Sequence, residues 1–109
     1  MPEKTLLIFT TCPDLESAER IAGHLVDEGL AACIQITAPV TSVYIWQGQR
    51  ESAEERVLQI KTGESVYKKL EQRILSLHPY ELPEIIAVGV EQGLPGYLEW
   101  VHRCTKQQD

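Results

Sequence analysis

The sequence predicts an α+β domain, a ferredoxin-like βαββαβ sandwich with an extra C-terminal helix, its antiparallel sheet carrying two helices on one face. Three observations carry that expectation. Two amphipathic helical stretches, each following a strand-like run, divide the chain into weakly similar halves. A long extended segment with period-two alternation lies between them. Tight turns rather than linkers separate the segments, so residues 1–109 read as a single domain.

Lys4 to Thr11, rich in Leu, Ile, Phe and Thr, is the first strand. Cys12-Pro13-Asp14 ends it, and Asp14 is a good helix N-cap with Glu16 and Glu19 in the early turns. Leu15, Ala18, Ile21, Ala22, Leu25 and Val26 then form one apolar stripe, and Gly29 stops the helix. Ala31 to Gln47 is extended, with Pro39 predicting a bulge or an edge. Beyond it, Val43 and Ile45 share one face while Ser42, Tyr44 and Trp46 share the other.

Gln47-Gly48-Gln49 makes the turn, and Glu54 to Thr62 is the third strand, with Leu58, Ile60 and Thr62 on one side. Gly63-Glu64-Ser65 opens a second helix capped by Ser65, with Val66, Tyr67, Leu70, Ile74 and Leu77 as its stripe. Pro79 forces His78 out of helical geometry. His78 to Pro83 is a stiff connector. Ile85 to Val90, apolar nearly throughout, is predicted to be a central strand. Gly93-Leu94-Pro95-Gly96 then turns into a short helix bearing Tyr97, Leu98 and Val101.

The composition excludes several function classes. A net charge of −6 without a basic patch argues against nucleic acid. The first apolar stretch, Leu6 to Phe9, is far too short for a signal peptide or membrane span, so the expected compartment is the cytoplasm and no membrane partner is expected. Cys12, Cys33 and Cys104 are widely spaced and read as free thiols, with Cys33 expected in the core. Without a Gly-rich phosphate loop, a nucleophile elbow or a triad-like spacing, no enzyme and no organic cofactor is predicted.

Element lengths predict self-association. The first helix covers about 21 Å, whereas Ala31 to Gln47 extends about 56 Å before any kink. The uncovered end carries bulky groups on both faces, and such a hairpin is marginal alone. Sheet sharing in a closed ring, a homotrimer, would bury it. The alternative is that Pro39 folds the strand into two ordinary ones within a monomer.

Four segments carry a more specific signal: Leu30-Ala31-Ala32-Cys33, Ser42-Val43-Tyr44-Ile45-Trp46-Gln47-Gly48, Ile60-Lys61-Thr62 and His78-Pro79-Tyr80-Glu81-Leu82-Pro83-Glu84-Ile85. In order and in register, they resemble the CutA family, the divalent-cation tolerance proteins. The resemblance runs from Thr5 to about Val101. It implies a ferredoxin-like subunit in a PII-like homotrimer, a cytoplasmic location, and a link to copper or other divalent metal tolerance. It implies no reaction. The family's metal ligands are a cysteine near the end of the first strand and histidines before the Pro-Tyr; His78 occupies the second histidine position, and Cys12 lies about two positions after the family's cysteine. Leu77 stands at the first histidine position, and Thr10 where the family's cysteine stands.

His78 with Cys12 offers an imidazole and a thiolate, a fair donor pair for copper or zinc. The competing reading is that His78 bonds backbone at the helix terminus. Cys12, beside a helix N-terminus, reads either as a thiol of lowered pKa or as a plain turn cysteine. His102 and Cys104 diverge on a helix and cannot share an ion, and His24 reads as solvated. Tyr44, Trp46, Lys61, Tyr80 and Glu84 are candidates for an inter-subunit cleft or interface. The leading function is non-catalytic metal binding or metal response. The alternative is a PII-like sensor that binds a small molecule between subunits and signals to an unidentified protein partner.

Overall fold

The computed structural model describes residues 3–105. In chain order they form β1 (Thr5–Cys12), α1 (Leu15–Asp27), β2 (Cys33–Ile36), β3 (Val40–Trp46), β4 (Gln49–Gly63), a 3₁₀ turn (Glu64–Val66), α2 (Tyr67–Leu77), β5 (Ile86–Gly89) and α3 (Pro95–Cys104). Every strand pair is antiparallel; the sheet order is β2-β4-β1-β5, and β3 pairs with the first half of β4.

Period-two alternation builds the core. Leu6 and Ile8 of β1 lie level with Thr62 and Ile60 of β4, and with Leu58 they meet Ala18, Ile21 and Leu25 of α1 and Leu70 and Ile74 of α2. The middle of each predicted stripe is therefore buried on one face of the sheet, whereas Leu15 and Val26 of the first stripe are exposed. Asp14 caps α1 through its carboxylate and the Ser17 amide at 2.7 Å.

Pro39 marks a bulge. Ile36 lies opposite Leu58 and the Thr37 amide bonds Val57, yet Val40 lies opposite Glu55, so Ala38 and Pro39 together face Arg56. Thr37 ties this irregularity down: its hydroxyl accepts from the Val57 amide and its carbonyl from Arg56. A proline tolerates the site because no ladder donor is needed there.

Four sequence expectations need correction. The third strand starts at Gln49, not Glu54, because the turn is only Gln47 and Gly48, at φ 50° and 80°, a two-residue hairpin turn. The charged run Arg50 to Glu55 is strand despite its polarity, since β3 pairs with it throughout. Ser65 does not cap the second helix; its amide is instead bonded by the Glu3 carboxylate. Among the described residues β5 is an edge strand paired with β1 alone, and Ile86 and Val88 are about half exposed. Cys33, at the start of edge strand β2, is half-buried rather than core.

On the opposite face, α3 is fixed by His102, whose ring meets the Thr5 hydroxyl at 2.7 Å and Glu3 at 3.2 Å. A recess of about 590 Å³ lies there, between Lys4, Leu98 and Arg103. It is remote from the chemistry described next.

Thr10 is fully buried on the helix-covered face, and its hydroxyl finds no partner among the described residues. A stranded buried hydroxyl costs about 1–3 kcal/mol. Thr10→Val keeps the shape and removes that cost. We expect it to stabilise the fold by about 1 kcal/mol, raising the denaturation midpoint with unchanged slope.

Candidate functional site

Pro79 sets the site's position. α2 ends at Leu77, whose carbonyl is capped by Arg20 of α1 at 3.0 Å, and His78 turns extended at φ −75°, ψ 138°. The His78 amide still closes the last helical turn on Ile74, while its ring swings towards the end of β1. There Cys12, the last residue of the strand, points into the core with no exposed surface.

Cys12 Sγ lies 3.9 Å from His78 Nε2. Nε2 donates to the Thr11 carbonyl at 2.7 Å, and Nδ1 accepts from the Tyr80 amide at 3.0 Å. Those two partners assign the neutral tautomer with its proton on Nε2. Burial lowers the His78 pKa, partly opposed by the hydrogen bond to Thr11. Burial also raises the Cys12 pKa to about 11, which favours the plain cysteine over the thiol of lowered pKa.

Tyr80 extends the arrangement outward. Its ring lies 4.9 Å from that of His78, and its hydroxyl donates to Glu55 Oε2 at 2.7 Å. Ser42 donates to the other Glu55 oxygen at 2.6 Å. Glu55 is 9% exposed, a carboxylate buried at the foot of the β3–β4 hairpin. Burial, the bond to Glu55 and the nearby Tyr44 all push the Tyr80 hydroxyl well above its ordinary pKa.

Cys12 and His78 are thus brought together by the fold. The five candidate cleft residues are not gathered within one chain. Tyr80 bonds Glu55, Tyr44 lies close enough to Tyr80 to raise its pKa, and Glu84 is exposed just past the connector. Trp46, at the hairpin tip, is 57% exposed. Lys61 lies six residues along β4 from Glu55, about 20 Å, and bonds Gln35. Glu55, Ser42 and the Thr11 carbonyl were not singled out from sequence. Counting back from the Gln47-Gly48 turn pairs Val40 with Glu55, which places Ser42 diagonally across from it, so the hairpin register was the available signal. Among the described residues no group of three or more His, Cys, Asp or Glu side chains is arranged to hold one ion. His24 is exposed between Glu28 and Arg73, and Cys104 is exposed away from His102's bonds.

Residues 6–104 match the family described as CutA1 divalent ion tolerance protein. The chain belongs to that family. It is 42% identical to the mouse Protein CutA over 97% of its own length, spanning 60% of that protein. It is 40% identical to the divalent-cation tolerance protein CutA of Thermus thermophilus, covering 91% of this chain and 96% of that one. The crystal structure of CutA from Xylella fastidiosa superposes with a TM-score of 0.92 at 47% identity, covering 94% and 98% of the two chains. CutA1 family membership connects the chain to divalent-cation tolerance by name. It does not fix a compartment: a rice relative is named chloroplastic, and the Archaeoglobus fulgidus structure is called periplasmic. No described helix is long and apolar enough to cross a membrane.

Proposed function

We propose that this chain is a cytoplasmic, non-catalytic, PII-like homotrimer of ferredoxin-like subunits that binds copper or another divalent metal through Cys12 and His78. The observation that carries the metal reading is the 3.9 Å separation of Cys12 Sγ and His78 Nε2. With metal–sulfur and metal–nitrogen bonds of about 2.3 and 2.0 Å, one ion spans about 3.5 Å at a tetrahedral angle and about 4.3 Å when linear. The observed gap falls between those limits. A soft thiolate with an imidazole suits copper or zinc rather than magnesium or calcium. When bound, the metal would act as a Lewis acid on the thiol, and Cys12 would surrender its proton.

The strand order supports the ferredoxin-like reading. The trimer reading is supported by uncovered apolar groups on two partly unpaired strands: Val43 and Ile45 on β3, and Ile86 and Val88 on β5, are each about half to two-thirds exposed. Three free thiols suit a reducing compartment. The sensor alternative gains little, since the two-residue turn leaves no long loop for docking a partner.

Isothermal titration of the reduced protein with Cu(I), Cu(II) and Zn(II) tests the metal reading. We expect Cys12→Ser and His78→Asn each to weaken binding at least about tenfold. Unchanged binding in both variants removes the pair from the function.

A further inference from the structure

The recess under α3, on the sheet face opposite α1 and α2, encloses about 590 Å³, a size that suits a small molecule. Three glycines seat its walls. A Cβ at Gly89 would come within 3.2 Å of the Lys4 stem, one at Gly93 within 3.0 Å of Leu98, and one at Gly63 within 3.0 Å of His102 Nδ1. Wall residues thus occupy the space that side chains at these positions would take. Along α3 the lining runs from Pro95 to Arg103, about 12 Å of helix. Pro95 and Leu98, with Val90, supply apolar surface, and the charged residues of the helix follow them.

Charge decides what fits. Glu3 is already committed: His102 Nδ1 donates to one oxygen at 3.2 Å, and the Ser65 amide bonds the other. Lys4, Glu99 and Arg103 make no ion pair among the described residues. Two uncommitted cations and one uncommitted carboxylate therefore border an apolar wall, in a chain whose net charge is −6. The local excess of one positive charge matches a monoanion and opposes a multiply charged phosphate. We propose that the recess binds a small organic monocarboxylate with a medium-length apolar tail, its head at Lys4 and Arg103 and its tail along Val90, Pro95 and Leu98. Arginine presents a planar fork of donors that matches a carboxylate, and lysine adds a point charge beside it. Each methylene taken out of water tightens binding by up to about fourfold. The site is independent of the metal reading, since neither Cys12 nor His78 lines it.

Calorimetric titration of the full-length protein with sodium octanoate tests the proposal, with octanol, acetate and inorganic phosphate as comparisons. We expect one octanoate per chain. Acetate, lacking the tail, should bind at least about tenfold more weakly, and octanol, lacking the charge, about fivefold more weakly. Lys4, Glu99 and Arg103 are exposed, so their substitution leaves the fold intact. Lys4→Gln and Arg103→Gln should each weaken octanoate about fivefold, whereas Glu99→Gln should strengthen it about threefold. Those opposite signs are what a merely structural role would not produce. Octanol binding as tightly as octanoate, phosphate binding better than octanoate, or octanoate binding unchanged in both cation variants overturns the site. No octanoate binding, or uptake of several molecules per chain without saturation, overturns it equally.

Discussion

Val43→Glu combined with Ile45→Glu is expected to convert an assembly of about 37 kDa, three copies of the 12.3 kDa chain, into a stable monomer. Within one chain both side chains are about two-thirds exposed, so the double substitution disturbs no intramolecular contact of consequence. In a ring that buries the hairpin, each lost aliphatic group forfeits about 1.5–3 kcal/mol. Each new carboxylate adds several kcal/mol of desolvation when taken out of water without a partner. Threefold symmetry repeats the penalty in every copy, and no interface of ordinary size absorbs it. Light scattering at micromolar concentration reads the result directly, with far-UV circular dichroism as the control for the fold. An unchanged mass in the variant, or a wild type of 12.3 kDa, would sink the trimer.

The second large effect belongs to His78. Its ring fills a buried space beside Cys12 and serves two backbone groups, the Thr11 carbonyl and the Tyr80 amide. His78→Ala leaves both partners without the ring and opens a cavity, which together cost about 2–4 kcal/mol. The loss depends on pH with a definite sign. The folded pKa of His78 is lowered, so the unfolded chain binds the proton first as acid is added. Wild-type stability therefore declines below the ordinary histidine pKa of about 6.5. The alanine variant lacks that contribution, so the stability gap measured by urea denaturation narrows between neutral pH and pH 5. A gap that widens towards acid would show that His78 is charged in the folded state.

Local signals were strong where the chain's own periodicity decides the structure. Both helices and the inward set Leu58, Ile60 and Thr62 follow from spacing, because 3.6- and two-residue periods state which face meets a core, while the Asp14 cap and the bulge-or-edge expectation at Pro39 follow from residue type. The family resemblance rested on four short segments, and the matched residues 6–104 contain all of them. Polarity misled in Gln49 to Ala53, where a polar run is strand because a partner strand supplies its hydrogen bonds. It misled again in Ile86 to Gly89, where an apolar run lies at an edge. Hydrophobicity records that a surface is to be covered; it does not name what covers it.

The sequence by itself determined the elements, the core stripes and the candidacy of Cys12 and His78. Only the tertiary structure decided that these two side chains meet at 3.9 Å, that both nitrogens of the histidine are engaged, and that Glu55 lies buried under Tyr80 and Ser42. The reason is physical. Periodicity is a property of neighbours along the chain, whereas a tautomer and a buried carboxylate are fixed by groups dozens of residues away. Proximity of that kind exists only once the sheet register and the Pro79 turn have brought them together.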